Sequence, residues 1–211
     1  MSTRLSPLRA YEFALHSEGW HAATDDGRRV GVDTRRWRGG VTDADVRLLA
    51  RAQQPVLDVG CGPGRHAGHL IGRGVAALGV DVSAAAVALA RDRGVSVVHG
   101  SIFGAIPDPG LWGSALLLDG NIGIGGDPVA LLTRLRSLLV PAGTALIECV
   151  EPTGRAMQAH VRLVGPAGSS TPFPWGFLDH THLPAVAAQA GYAVTEVWRD
   201  DGRWFAEVRA V

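Results

Sequence analysis

Val56-Leu-Asp-Val-Gly-Cys-Gly-Pro-Gly-Arg65 decides the fold. An apolar run of strand type meets glycines at 60, 62 and 64, and a helical pattern follows over 64–73. Glycine at such a strand-to-helix turn lets the main chain approach a ligand that side chains would exclude. Asp81 ends the next strand, 21 residues after Gly60. In doubly wound folds that position offers a carboxylate to ribose hydroxyls. A dinucleotide fingerprint needs glycine at its sixth position, but Arg65 stands there, which disfavours a nicotinamide cofactor.

Outward from this loop, short apolar runs alternate with helical patterns, the signature of a parallel sheet with crossover helices. Strands are expected at 55–59, 76–81, 95–99, 114–119 and 142–150, with helices at 64–73, 83–93 and 127–139. Ser83 is placed to cap the second helix. Leu131, Leu132, Leu135, Leu138 and Leu139 recur at helical spacing, and Pro141-Ala-Gly143 stops that helix. Segments 192–198 and 204–211 flank the turn-forming Arg199-Asp-Asp-Gly-Arg203 and read as an antiparallel hairpin closing the sheet. Before them, 183–190 reads as a short helix ended by Gly191, 155–164 as an extra strand and 165–172 as a Gly/Pro-rich loop. The expected fold class is therefore α/β, a doubly wound Rossmann-like sheet of seven strands over 55–211, mostly parallel with a C-terminal antiparallel hairpin. Residues 1–54 are expected to form a helical lid or cap segment of the same single domain. In it Thr42-Asp-Ala-Asp45 caps a helix through Val46, Leu48, Leu49 and Ala52, and Tyr11, Phe13, Trp20 and Trp37 sit among charges.

Composition narrows the function. The chain has 211 residues, 20 basic against 20 acidic. This balance argues against a nucleic-acid partner, since phosphate-tracking domains carry a basic excess. The longest apolar runs fall far short of the roughly 18 residues that span a bilayer, so no membrane partner is expected. Residues 1–10 hold no apolar core of signal-peptide length, and Cys61 and Cys149 are too few for a disulfide scaffold. A cytoplasmic setting is expected. Every basic residue is Arg, so no lysine Schiff base is possible, and no Gly-x-Ser-x-Gly elbow supports hydrolysis.

The stretch 55–150 resembles class I S-adenosylmethionine-dependent methyltransferases. Asp58-Val-Gly-Cys-Gly-Pro-Gly64 is similar to the family's first motif and Gly79-Val-Asp-Val-Ser83 to its second. Val98-His-Gly-Ser-Ile-Phe103 and Leu117-Leu-Asp-Gly-Asn121 stand where the third and fourth belong. Leu139-Val-Pro-Ala-Gly-Thr144 resembles the turn before the fifth strand. The resemblance implies S-adenosyl-L-methionine as cofactor and S-adenosyl-L-homocysteine as product. It implies that Asp58 and Gly60 hold the methionine part, Asp81 the ribose, and Val82 and Ile102 the adenine faces. Cys61, Gly62, Gly64, Ser101 and Asp119 complete the implied cofactor site. Ser101 departs from the acidic residue usual in the third motif, so a hydroxyl or a backbone carbonyl must accept from the adenine.

Methyl transfer from a sulfonium is an in-line displacement that needs alignment in a dry pocket, and no universal catalytic residue follows. The fourth motif lacks the Asn- or Asp-Pro-Pro-aromatic pattern of the methyltransferases acting on DNA amines. Its glycine-rich Asp119-Gly-Asn-Ile-Gly-Ile-Gly-Gly126 fits a small-molecule acceptor, with a specialised metabolite as one expectation. Asp119 and Asn121 fall beside the reactive methyl, and Asn121 either lines the pocket or supports the turn. Asp179-His-Thr-His182 matches the Asp-x-x-His element that many family members place near the acceptor. It makes His182 or His180 a candidate base, with a loop histidine bonded to backbone as the alternative. No metal site is expected, because alternate loop residues rarely complete one. His16, His21 and Glu151 are weaker candidates. Phe173, Trp175 and Phe177 alternate on one face of an extended segment, where they either line an acceptor pocket or pack the lid on the sheet. Trp175, Phe177 and Tyr11 are the expected pocket aromatics. A catalytically degenerate cofactor-binding module and a nicotinamide-dependent oxidoreductase are the competing readings, and the oligomeric state is left open.

Overall fold

Two sheets organise the chain, a seven-stranded one and a six-stranded one. The structure, a computed structural model, describes residues 4–25, 27–30, 33–152 and 158–211. In chain order, β1 (Arg4–Leu5), α1 (Pro7–His16), β2 (His21–Thr24), β3 (Arg29–Val30), α2 (Thr34–Arg38) and α3 (Asp43–Leu49) come first. Next are β4 (Val56–Val59), α4 (Arg65–Gly72), β5 (Ala77–Asp81), α5 (Ala84–Asp92), β6 (Val97–His99), β7 (Trp112–Leu117), α6 (Pro128–Arg136) and β8 (Leu139–Cys149). β9 (Gln158–Gly165), β10 (Gly168–Ser170), β11 (Phe173–Gly176), α7 (Leu183–Gln189), β12 (Tyr192–Asp200) and β13 (Arg203–Ala210) follow.

The larger sheet runs β12-β13-β8-β7-β4-β5-β6, parallel from β8 to β6, with β13 antiparallel to both its neighbours. This is the expected α/β architecture with its closing hairpin. Its central strands are buried on both faces, and successive residues serve opposite cores. Leu57, Leu117 and Ile147 pack with Leu131, Leu135 and Leu183 on one side. Val56, Leu116 and Leu146 pack with Leu48, Leu49 and Phe205 on the other. Ser83 caps α5 as expected, its Oγ accepting the Ala86 N–H at 3.2 Å. One boundary moved. α6 ends at Arg136 and β8 already begins at Leu139, so Pro141-Ala-Gly143 forms a bulge inside β8 and does not end the helix. Trp112 faces Leu139 and Ser114 faces Thr144, leaving the turn looped out with Ala142 at φ 59°.

The cap also differs from a purely helical segment. β1, β2 and β3 join β9, β10 and β11 in the smaller sheet, ordered β1-β10-β9-β2-β3 with β11 on β9. The expected strand at 155–164 is β9, with 155–157 outside the described residues, and the expected loop at 165–172 contains β10. The reason is burial. Ala10, Ala14, Trp20 and Ala22 from the N-terminal stretch share one apolar cluster with Leu163, so neither stretch covers its apolar face alone.

A buried carboxylate ties this frame to the larger sheet. Asp45, fully buried in α3, forms the expected capping box, accepting the Thr42 N–H at 2.9 Å. Its oxygens also accept from Arg65 Nη1 at 2.5 Å and Arg203 Nη1 at 2.7 Å. Burial opposes its ionisation, but the neighbouring His66, the Thr42 N–H, Arg203 and Arg65 outweigh it and hold the carboxyl well below the usual range. Breaking a buried ion pair from one side leaves the other charge uncompensated. Asp45→Ala is therefore expected to lower stability by about 3–5 kcal/mol, read from urea unfolding; a loss under about 1 kcal/mol contradicts this role.

Candidate functional site

The glycine loop is fixed from several directions. Gly60 and Cys61 donate their N–H groups to Val80 O at 2.8 and 3.1 Å, pinning the loop to β5. Asn121 Nδ2 donates to Val59 O at 2.8 Å and Gly60 O at 2.9 Å, so it supports the loop as well as facing the cavity. Asp58 is buried and accepts the Ala67 N–H at 3.1 Å, bracing the first turn of α4. Gly64, at φ 78°, starts that helix so close to α5 that a Cβ there would stand 2.9 Å from Ala90 Cβ. Asp58 and Gly64 thus shape the loop from behind and are not among the residues that line the cavity.

The cavity itself measures about 650 Å³ and lies between the carboxyl ends of the parallel strands and the smaller sheet. Gly60, Cys61, Gly62, Asp81, Val82, Ser101, Ile102, Asp119 and Asn121 line it from the larger sheet. Tyr11, Phe173, Trp175 and Phe177 line it from the cap, so the alternating aromatics face the cavity, and Phe173 and Trp175 also pack edge to face at 6.0 Å. Ile102 belongs to the core at the same time, whereas Val82 is half exposed. Ser101 Oγ is engaged by the Phe103 N–H at 3.2 Å.

Asp81 accepts the Gly62 N–H at 2.9 Å and the Ser83 N–H at 2.8 Å. Burial raises its pKa despite these donors and Tyr11. The Tyr11 phenol stands over Gly62, and burial together with Asp81, Cys61 and Asp119 pushes it well up, so it stays protonated at neutral pH. Burial likewise pushes up both thiols that line the cavity, Cys149 to about 12 and Cys61 further. Neither is a thiolate nucleophile.

Asp119 holds an uncommon backbone, φ 56°, next to Gly120 at φ 85°. Fixed partners maintain it. Its N–H donates to Glu148 Oε2 at 2.8 Å, and both its oxygens accept from Arg65 Nη2 at 2.9 Å. Glu148 in turn accepts from Arg203 Nε at 2.8 Å and Nη2 at 2.5 Å. Sequence reading missed Glu148, Arg36 and Trp37, which also line the cavity. Glu148 had left a signal, a lone charge in the apolar run Ala145-Leu-Ile-Glu-Cys149, and Trp37 one as an aromatic of the expected cap, but Arg36 had not.

The histidines are placed elsewhere. Neither His182 nor His180 is among the residues that line the cavity. His182 stands at the start of α7, its Nδ1 2.9 Å from Asp179 Oδ1, and His180 stacks on Trp204 with ring centroids 3.9 Å apart. His16 and His21 are also absent from the lining, whereas Glu151 belongs to it. Among the described residues, no group of three or more His, Cys, Asp or Glu side chains is placed to hold a metal ion.

Residues 56–143 match the family model described as methyltransferase domain. That stretch resembles a methyltransferase domain. The fold of the chain is that of S-adenosylmethionine-dependent methyltransferases. One from Bacteroides fragilis, solved with S-adenosyl-L-homocysteine, is similar at TM-score 0.77 and 20% identity, covering 100% of this chain and 99% of that one. The Burkholderia thailandensis 1,6-didemethyltoxoflavin-N1-methyltransferase is similar at TM-score 0.65 and 18% identity, covering 100% and 93%. The CcbJ methyltransferase of Streptomyces caelestis is similar at TM-score 0.61 and 21% identity, covering 83% and 92%. No curated protein matches by sequence.

The Asp179-x-x-His182 element is a helix-start turn. Asp179 Oδ1 accepts from the Thr181 N–H at 2.9 Å and the His182 N–H at 3.1 Å. Burial opposes ionisation of Asp179, but Thr181 and His182 outweigh it and lower its pKa to about 2. A depressed carboxylate stabilises the fold fully above its unfolded pKa, about 3.9, and loses that contribution as pH falls through the folded value. Asp179→Ala is expected to cost about 1–2 kcal/mol at pH 7, with the gap from wild type closing between about pH 4 and pH 2. His182→Ala is expected to leave affinity for S-adenosyl-L-homocysteine within about twofold, since one tenfold change needs about 1.4 kcal/mol of lost contact. A tenfold loss on calorimetric titration would place His182 at the ligand.

Proposed function

We propose that this protein is a methyltransferase that binds S-adenosylmethionine along the carboxyl ends of β5, β4 and β7 and transfers its methyl group to a small, largely apolar acceptor beneath the cap. The observation that carries this is the convergence on one cavity of Gly60, Gly62, Asp81, Ile102 and Asp119 with the aromatic wall of β11. The residues present fit the cofactor. The backbone at Gly62, with φ 54°, lies open to the cavity, and a side chain there would meet the Tyr11 hydroxyl. Asp81 is held by two amides with its carboxylate in the lining, as ribose recognition requires. Val82 and Ile102 are the apolar contacts for adenine, and Asp119 and Asn121 stand at the other end of the loop.

S-adenosylmethionine supplies an electrophilic methyl on a sulfonium, and the chain's own task is alignment and exclusion of water. The cap performs the second task as a lid built from residues 4–25, 27–30, 33–38 and 158–177. Val161, Leu163, Phe173, Trp175 and Phe177 make the acceptor side apolar and aromatic, which suits a flat ring system. Asp119 is engaged by Arg65, Glu148 by Arg203 and Glu151 by Arg199, at 2.9, 2.5 and 2.7 Å. An acceptor that attacks through a free lone pair, or that arrives ionised, needs no base from the protein. This suits a specialised metabolite. A reducing, cytoplasmic setting accords with both cysteines being free.

Calorimetric titration of wild type and Asp81→Ala with S-adenosylmethionine, S-adenosyl-L-homocysteine and NAD tests the assignment. Expected are micromolar binding of the first two, no binding of NAD, and at least a tenfold loss in the variant, about 1.5–3 kcal/mol for one charge-assisted hydrogen bond. Preferential NAD binding overturns it. Tight binding without turnover across a broad acceptor panel favours a degenerate module.

A further inference from the structure

The buried ion network beneath the cavity is unbalanced. Asp45, Asp119 and Glu148 bring three carboxylates, whereas Arg65 and Arg203 bring two guanidiniums, and both are almost wholly buried and fully engaged by those carboxylates. The third cation comes from the cap. Arg36 of α2 reaches over the floor with Nη1 3.6 Å from Glu148 Oε1 and 3.9 Å from Asp119 Oδ1, while its Nε lies 3.7 Å from Asp33 Oδ2. These are ion-pair separations too long for hydrogen bonds. Among the described residues the Arg36 guanidinium makes no hydrogen bond, although it lines the cavity and its side chain is 31% exposed. A guanidinium with unspent donors in a water-excluding cleft is suited to bidentate capture of a carboxylate.

The position of Arg36 says which carboxylate. On the reading of the cavity given above, on which this inference rests, Asp81 on β5 takes the ribose and the glycine loop after β4 lies between it and Asp119 after β7. Arg36 stands over Asp119, at the end away from Asp81. The group that reaches this end is the cofactor's amino-acid head, which carries an ammonium and a carboxylate. An acid pair below and a free guanidinium above match that zwitterion. We propose that Arg36 binds the carboxylate of S-adenosylmethionine, exchanging its long-range pairing with Asp119 and Glu148 for direct hydrogen bonds and leaving those acids to face the ligand's positive groups. The same step closes α2 of the lid over the ligand, because Arg36 belongs to it.

The test uses S-adenosylmethionine and decarboxylated S-adenosylmethionine, which retains the sulfonium and the amine, titrated into wild type, Arg36→Gln and Arg36→Lys. Wild type is expected to bind the intact cofactor at least tenfold more tightly than the decarboxylated one. Arg36→Gln is expected to lose that preference, with affinity for the decarboxylated ligand unchanged within twofold, which also shows that the variant folds. Arg36→Lys is expected to keep part of the preference. A preference in Arg36→Gln equal to wild type, or equal losses for both ligands, overturns the proposal while leaving the cofactor assignment standing. Failure of wild type to bind S-adenosylmethionine at all overturns both.

Discussion

The buried chain of charges from Asp45 through Arg65 to Asp119 holds the site together. It links α3, the helix that follows the glycine loop and the turn after β7, and Arg203 with Glu148 extends it to the neighbouring strands β13 and β8. Charges buried this deeply are costly unless each is matched, so the elements that carry them must dock in one arrangement. Asp119 owes both its side-chain direction and its unusual backbone to this chain. Arg65 therefore explains more than the missing glycine of a dinucleotide fingerprint: it occupies that place because the site needs a cation there.

The alternation of apolar runs and helical patterns was enough to read the larger sheet, because strands buried on both faces leave little ambiguity in β4 and β7. The glycine loop and Asp81 were legible for a local reason, since backbone angle and carboxylate position are written in few residues. The smaller sheet was not, because β1, β2 and β3 are two to four residues long, and β1 and β2 pair with strands more than 100 residues away. No periodicity develops over so short a stretch. The same distance hid Arg36 and Trp37, which reach the cavity only through the folding of the cap. His180 and His182 illustrate the converse. Their spacing from Asp179 matched a motif, yet Asp179 spends its oxygens on the turn that starts α7.

The chemistry that follows is one of placement. Asp119, Glu148 and Glu151 at the cavity are held by arginines, the thiols stay protonated and the phenol of Tyr11 is too weak an acid to ionise at neutral pH. On the proposed function, what remains is a loop for the cofactor, an aromatic wall for the acceptor and a lid to exclude water, the elements an in-line displacement requires.

A crystal structure of the protein with S-adenosyl-L-homocysteine tests this account most directly. The account predicts the adenosine between Asp81, Val82 and Ile102, the amino-acid end over Gly60 and Asp119, and unfilled space against Trp175 and Phe177. A ligand seated elsewhere, or one whose amino-acid end fills the aromatic side, would contradict it.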